Sequence, residues 1–146
     1  MRILVINGPS LNLLGIREPH IYGNLTYLDL EKYIEKSAAK LGMIVTIFQS
    51  NHEGAIIDAI HTAINNFDGI VINAAAYSHT SIAIMDALKG VNIPAVEVHI
   101  SNLAQREQFR QFSYVSLAVL TTISGHGFTG YKEAMEFLIN KAGENK

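Results

Sequence analysis

Five short apolar runs rich in Val and Ile constrain this chain more than any other feature: residues 2–6, 44–48, 69–72, 95–98 and 115–120. They lack the alternation of half-exposed strands, which is the pattern of a parallel sheet covered by helices on both faces. Helical patterns separate them. Tyr27, Leu28, Leu30, Ile34, Ala38 and Leu41 form one apolar stripe, stopped by Gly42. Ala55, Ile56, Ala59, Ile60, Ala63 and Ile64 form a second stripe, and Ile82, Met85, Ala87 and Leu88 a third, ended by Gly90. A short charged helix is expected over residues 103–112 and a closing helix over 131–141. This alternation specifies an α/β domain with right-handed crossovers. Five strands at this length suggest a flavodoxin-like three-layer sandwich with a five-stranded parallel sheet in the order 2-1-3-4-5, a single domain over residues 1–146.

Composition narrows what such a domain can do. A formal charge of −2 gives no reason to expect nucleic acid or anionic lipid as a partner. The absence of cysteine excludes disulfides, iron–sulfur ligation and thiolate catalysis, and fits a reducing compartment. The apolar run from Ile3 to Ile6 is too short for a signal segment, and no stretch is long enough to span a bilayer. A cytoplasmic chain is therefore expected, with no membrane association.

The strand ends carry the chemistry. The first strand runs into Asn7 and Gly8, the second into Gln49, Ser50 and Asn51, the third into Asn73, and the fourth through Glu97 to His99. All are carboxyl ends of parallel strands, the edge where open α/β sheets bind ligands, although polar loop residues alone are common. Several familiar sites drop out. No Walker sequence follows the first strand, so nucleoside triphosphate chemistry is unsupported. Residues 125–130 match G-x-G-x-x-G but follow the last strand, and read as a tight turn into the final helix. His52-Glu53 resembles a zincin start, but Ile56 stands where the second His should be. Six dispersed histidines without cysteine give no metal set.

What remains is organic acid–base chemistry. Asn12, Arg17 and Tyr22 fall in a long loop from Asn7 to about Thr26, shaped by Gly8, Pro9, Gly15, Pro19 and Gly23. A phenol has an ordinary pKa of about 10. It acts as a base only when its phenolate is favoured; a nearby guanidinium would do that, and Arg17 is the candidate. Tyr22 also fits a half-buried loop aromatic. Glu97 precedes His99 by two residues, so both point to one side of the strand end. That pairing suits an oriented general acid and equally a structural His–Glu pair. Arg106 and Arg110 lie one helical turn apart and could share an anion, or line a solvated face.

The residues at these positions resemble a known family. Residues 7–15, with Arg17, Glu18, Pro19, Tyr22 and Gly23, are similar to the opening of type II 3-dehydroquinate dehydratases. Residues 49–54 resemble that family's second-strand motif, Asn73 with 76–81 its third, and 97–102 with Arg106, Glu107, Phe109, Arg110 and Ser113 its fourth. The match runs in order over nearly the whole chain. It implies trans-elimination of water from 3-dehydroquinate to 3-dehydroshikimate in the shikimate pathway, with no cofactor and no metal. By the resemblance Tyr22 is the base and Arg17 holds its phenolate. Asn12 positions a water on the enolate oxygen, and His99, oriented by Glu97, protonates the departing hydroxyl. Asn73 and the amides of Ile100 and Ser101 take the carboxylate. His79 and Arg110 hold ring hydroxyls, and Arg106 supports the active-site loop. The resemblance further implies a homo-oligomer, a dodecamer of four trimers, in which Asp86 reaches a neighbouring site.

Departures from the family pattern are Ser10 for Asn, Ala74-Ala75 for Pro-Gly, Gln111 for His, Leu117 for Pro, and Thr121-Thr122 in a segment that usually holds a Gly. They bear on the geometry of the third loop more than on the reaction. Two other readings fit the same fold: a non-catalytic relative that binds a cyclic carboxylate, and a flavodoxin-like mononucleotide carrier. The latter lacks a phosphate-cradling loop after the first strand.

Overall fold

The computed structural model describes residues 1–16, 20 and 24–144. Its five parallel strands are β1 (Arg2–Asn7), β2 (Ile44–Gln49), β3 (Gly69–Asn73), β4 (Ala95–His99) and β5 (Thr121–Ser124), in the order β2-β1-β3-β4-β5. The α-helices connecting and closing them are α1 (Tyr27–Lys40), α2 (Glu53–His61), α3 (Ile82–Val91) and α4 (Thr129–Glu144). The fold is the expected flavodoxin-like three-layer sandwich.

Period-two alternation along the central strands sends neighbouring side chains to opposite faces. Ile3 and Val5 of β1 pack with Leu30 and Ile34 of α1 and Met135 and Leu138 of α4. Leu4 and Ile6 pack with Ile56 and Ile60 of α2 and Ile84 and Leu88 of α3. Both faces of β1, β3 and β4 are thus dry, which explains their unbroken apolar runs. The edge strands differ from the sequence expectation. β2 is only partly buried, with Ile44 at 69% exposure, and β5 is half-exposed, because each has a neighbour on one side only.

Local signals set the helix ends. Thr26 opens α1 with a capping box: its Oγ1 accepts from the Asp29 amide at 3.2 Å while its own amide donates to the Asp29 carboxylate at 2.9 Å. Gly42 follows the helix at φ +70°, as expected of a stop. Gly90 does not end α3. The helix continues to Val91, and Asn92 takes the left-handed position at φ +54°; its short polar side chain tolerates that conformation.

Two further segments differ from the sequence expectation. The apolar run at 115–120 is not the fifth strand: Val115–Ala118 is a 3-10 turn whose Val115 is fully buried in the core that α2 and α3 cover, and β5 begins at Thr121. The apolar signal came from one inserted core residue, with Leu117 and Leu120 exposed. Residues 103–112 are not one helix either, but two 3-10 turns, Leu103–Gln105 and Gln108–Arg110, separated by an extended Arg106. Asn102 caps the first turn at 3.0 Å, and the Gln111 side-chain amide donates to the Arg106 carbonyl at 3.0 Å, which holds the break open. Phe109 and Phe112 are exposed, so the segment has no apolar stripe to stabilise a longer helix.

Candidate active site

Strand register builds the site. Asn7 stands opposite Gln49 on one side and Asn73 on the other, so three polar strand ends lie in a row. Beside them β4 runs on to His99, opposite Ser124. Gly8 sits where an added Cβ would lie 2.4 Å from the Ala74 carbonyl oxygen, and its amide donates to the Asn73 carbonyl at 2.8 Å. The absence of a side chain at Gly8 lets the ends of β1 and β3 close together.

Over this edge lies a cleft lined by Asn73, His79, His99, Ile100, Ser101, Arg106 and Arg110, with Pro9, Ser10 and Leu11 on one wall. Seven residues singled out from the sequence are therefore in one place. Glu97 lies beneath, with its carboxylate Oε2 2.9 Å from His99 Nε2. Arg106 and Arg110 both face the cleft, although not from consecutive turns of one helix. Arg106 donates to the Ser101 hydroxyl at 3.2 Å, and Arg110 is anchored to Glu107 at 2.5 Å.

Other candidates lie elsewhere. Asn12 is exposed in the 3-10 turn Leu11–Leu13, where Gln49 reaches its side-chain oxygen at 3.4 Å; it does not line the cleft. Asp86 is exposed on α3, outside the cleft of its own chain. Arg17 and Tyr22 lie outside the described residues. The altered third loop still delivers Asn73 and His79 to the cleft, with Ala75 at the positive φ of 52°.

Two polar assemblies fix the cleft side chains. Asn73 accepts from the Ala75 amide at 3.1 Å and donates to the Tyr131 hydroxyl at 3.0 Å; that hydroxyl donates in turn to Asn7 at 2.7 Å. Burial pushes the Tyr131 phenol far up, so it stays neutral and has a single proton to give. The Asn73 amide is thereby committed to one orientation, oxygen toward Ala75 and nitrogen toward Tyr131. From the sequence, Tyr131 reads only as the start of the closing helix.

The second assembly surrounds Glu97, which is fully buried. Burial works against its charge. The contact with His99 and the hydroxyls of Ser113 at 2.5 Å and Thr122 at 2.8 Å outweigh it, and the carboxyl is held below its ordinary 4.5. The sequence assigns neither hydroxyl a role: Ser113 stands only within a motif and Thr122 only as a departure, since a hydroxyl 16 or 25 positions from its acceptor leaves no periodic signal.

His79 stacks on His99 with ring centres 6.3 Å apart. Burial first, then the charges of His99 and Arg110, lower its pKa against the opposing pull of the Phe112 carbonyl. Its Nδ1 donates to that carbonyl at 2.7 Å, which leaves Nε2 of the neutral ring as an acceptor for a hydroxyl. Among the described residues, no group of three or more His, Asp or Glu is arranged to hold a metal ion. Chemically, the cleft offers an imidazole seated on an ionised carboxylate, a fixed amide and two guanidinium groups.

Comparison with known proteins gives the same direction. Residues 1–139 match the family model described as dehydroquinase class II. The chain is 57% identical over 134 residues to a catabolic 3-dehydroquinase of Emericella nidulans, covering 92% of this chain and 88% of that one. It is 52% identical over 139 residues to a 3-dehydroquinate dehydratase of Prochlorococcus marinus, covering 95% of each. The crystal structure of a type II dehydroquinase from Butyrivibrio crossotus superposes with a TM-score of 0.93 at 50% identity, covering 95% of this chain and 97% of that one. With the strand-end cleft and its His–Glu pair in the same fold, the chain belongs to the type II dehydroquinase family.

Proposed function

We propose that this chain is a type II 3-dehydroquinate dehydratase, a hydro-lyase that converts 3-dehydroquinate to 3-dehydroshikimate in the shikimate pathway by trans-elimination through an enolate. The observation that carries this reading is the imidazole of His99, seated on the buried Glu97 carboxylate at 2.9 Å and opening onto a cleft rich in anion-binding groups.

The substrate carboxylate is taken by the Asn73 amide and the backbone amides of Ile100 and Ser101, which places the ring against His79 and Arg110. Tyr22, held as phenolate by Arg17, removes a proton from the carbon beside the ketone, and the electron pair moves into an enolate. By the family resemblance Asn12, whose own side chain does not line the cleft, acts through a water that spans to that oxygen, where the developing charge makes stabilisation most effective. Collapse of the enolate expels the hydroxyl, which takes a proton from His99 and leaves as water. Glu97 supports the cationic imidazole before transfer and keeps its ring oriented. Arg106 supports the active-site loop. The chemistry needs no cofactor or metal, because ketone, phenolate and imidazole supply every electron pair and proton.

The whole chain serves as one catalytic domain, consistent with a single sheet and its two apolar faces. Assembly into a dodecamer of four trimers would bring the exposed Asp86 to a neighbouring cleft. A cytoplasmic location agrees with the absence, among the described residues, of a helix long and apolar enough to cross a membrane.

Incubation of the purified protein with 3-dehydroquinate tests the reading. A conjugated enone should appear as new ultraviolet absorbance, and Tyr22→Phe and His99→Ala should each nearly abolish it with the fold intact. Thermal stabilisation by 3-dehydroquinate without any product would instead mark a binding protein.

A further inference from the structure

We propose that Thr122 is a positioning residue for the proton donor: its hydroxyl holds Oε1 of Glu97 so that Oε2 stays turned toward His99. The inference rests on the reading of His99 as the general acid.

The geometry is specific. Thr122 and Glu97 are register partners on β5 and β4, and Thr122 Oγ1 donates to Oε1 at 2.8 Å. Ser113 Oγ donates to the other oxygen, Oε2, which also faces His99 Nε2 at 2.9 Å. Ser113 is itself fixed, because its oxygen accepts from the Ser116 amide at 3.2 Å, so its one proton goes to Glu97. The carboxylate thus meets donors on both oxygens, and it cannot turn about its terminal bond without giving up two of them. With Glu97 fully buried, no solvent is at hand to replace a lost donor.

Thr122 suits this task better than a longer polar residue. A β-branched side chain in a strand has restricted χ1, so the backbone of β5 presets where the hydroxyl stands. The sheet therefore aims the carboxylate, and the carboxylate aims the ring. Without Thr122, Oε1 is left as a buried acceptor without a partner, and the carboxylate gains freedom to leave His99. Substrate binding does not involve this atom, so the effect belongs in the chemical step.

Steady-state kinetics on Thr122→Val and Thr122→Ser, with 3-dehydroquinate as substrate and thermal unfolding measured in parallel, test the proposal. Valine keeps the shape and the strand preference while removing the hydroxyl. The expected result is a kcat lower by roughly ten-fold, the worth of a hydrogen bond to a charged group, with KM unchanged. Serine should restore most of it. Wild-type kcat in Thr122→Val, or an equal fall in Thr122→Ser, would overturn the proposal. His99→Ala separates this from the reading beneath it: near-complete loss there with no loss in Thr122→Val sinks only the role of Thr122, whereas wild-type turnover in His99→Ala sinks both.

Discussion

Replacing Gly8 by alanine tests how tightly the site depends on the closure of two strand ends. The new methyl would stand 2.4 Å from the Ala74 carbonyl oxygen and 2.6 Å from its carbon, where ordinary contact begins at 3.4 Å. Both atoms are backbone, so no rotamer relieves the clash, and the ends of β1 and β3 must part by about 1 Å. The 2.8 Å bond from the Gly8 amide to Asn73 is then lost, and Asn73 is carried away from its 3.0 Å contact with Tyr131. Overpacking costs about 1–3 kcal/mol and a backbone hydrogen bond about 1 kcal/mol. Together they should lower the melting temperature by about 6–12 °C for a domain of this size. With Asn73 holding the substrate carboxylate as proposed, a shift of about 1 Å in it should lower kcat/KM by about 100-fold. Thermal unfolding followed by circular dichroism reads the first effect, and enone absorbance reads the second. Gly90→Ala is the control: nothing lies within 4 Å of its added methyl, and in a helix it should stabilise slightly. Wild-type melting and kcat/KM in Gly8→Ala would refute the argument that the strand ends position Asn73.

Other outcomes follow from the same structure. Because the folded-state pKa of Glu97 lies below its ordinary 4.5, the folded chain binds fewer protons than the unfolded chain as the medium turns acid. Its contribution to stability is complete above that value and is lost as pH falls through the folded pKa. Melting temperatures between about pH 3 and pH 6 should therefore decline less steeply in Glu97→Gln than in the wild type; parallel declines would contradict the assignment. Ala75→Gly should raise stability by about 1 kcal/mol, since alanine at φ +52° carries a left-handed strain that glycine does not. Urea unfolding measures it, and an unchanged or lower midpoint would refute the strain. A further outcome rests on the proposed mechanism and not on the structure, since both residues lie outside the described ones: if Arg17 favours the Tyr22 phenolate, Arg17→Ala should move the onset of activity to higher pH, and an unmoved pH–rate profile would remove that role.

The central strands were legible because β1, β3 and β4 are dry on both faces, and burial on both faces writes a continuous apolar run. The fifth strand was not, since its own residues are Thr, Thr, Ile and Ser at a half-exposed edge, while the neighbouring apolar run marks the buried Val115. Gly42 identified a helix end because its backbone needs a positive φ there, and Gly90 misled because Asn92 supplies that conformation instead. At the site, Glu97 and His99 could be read together, for two residues apart on one strand fixes a shared side. Ser113, Thr122 and Tyr131 could not be read this way, because their roles depend on which elements the fold brings against Glu97 and Asn73. The resemblance also points to Asn12 and Asp86, which do not line the cleft, and to Arg17 and Tyr22, which lie outside the described residues; strand register explains why Asn73 and His99 reach the same edge.

The proposed mechanism requires a base and the His99 acid to act from opposite faces of one ring. The most direct measurement uses 3-dehydroquinate stereospecifically deuterated at the carbon beside the ketone, with product analysed by mass spectrometry. Trans-elimination requires loss of the hydrogen that lies trans to the departing hydroxyl and retention of the other. Loss of the cis hydrogen, or no dehydration at all, would contradict it.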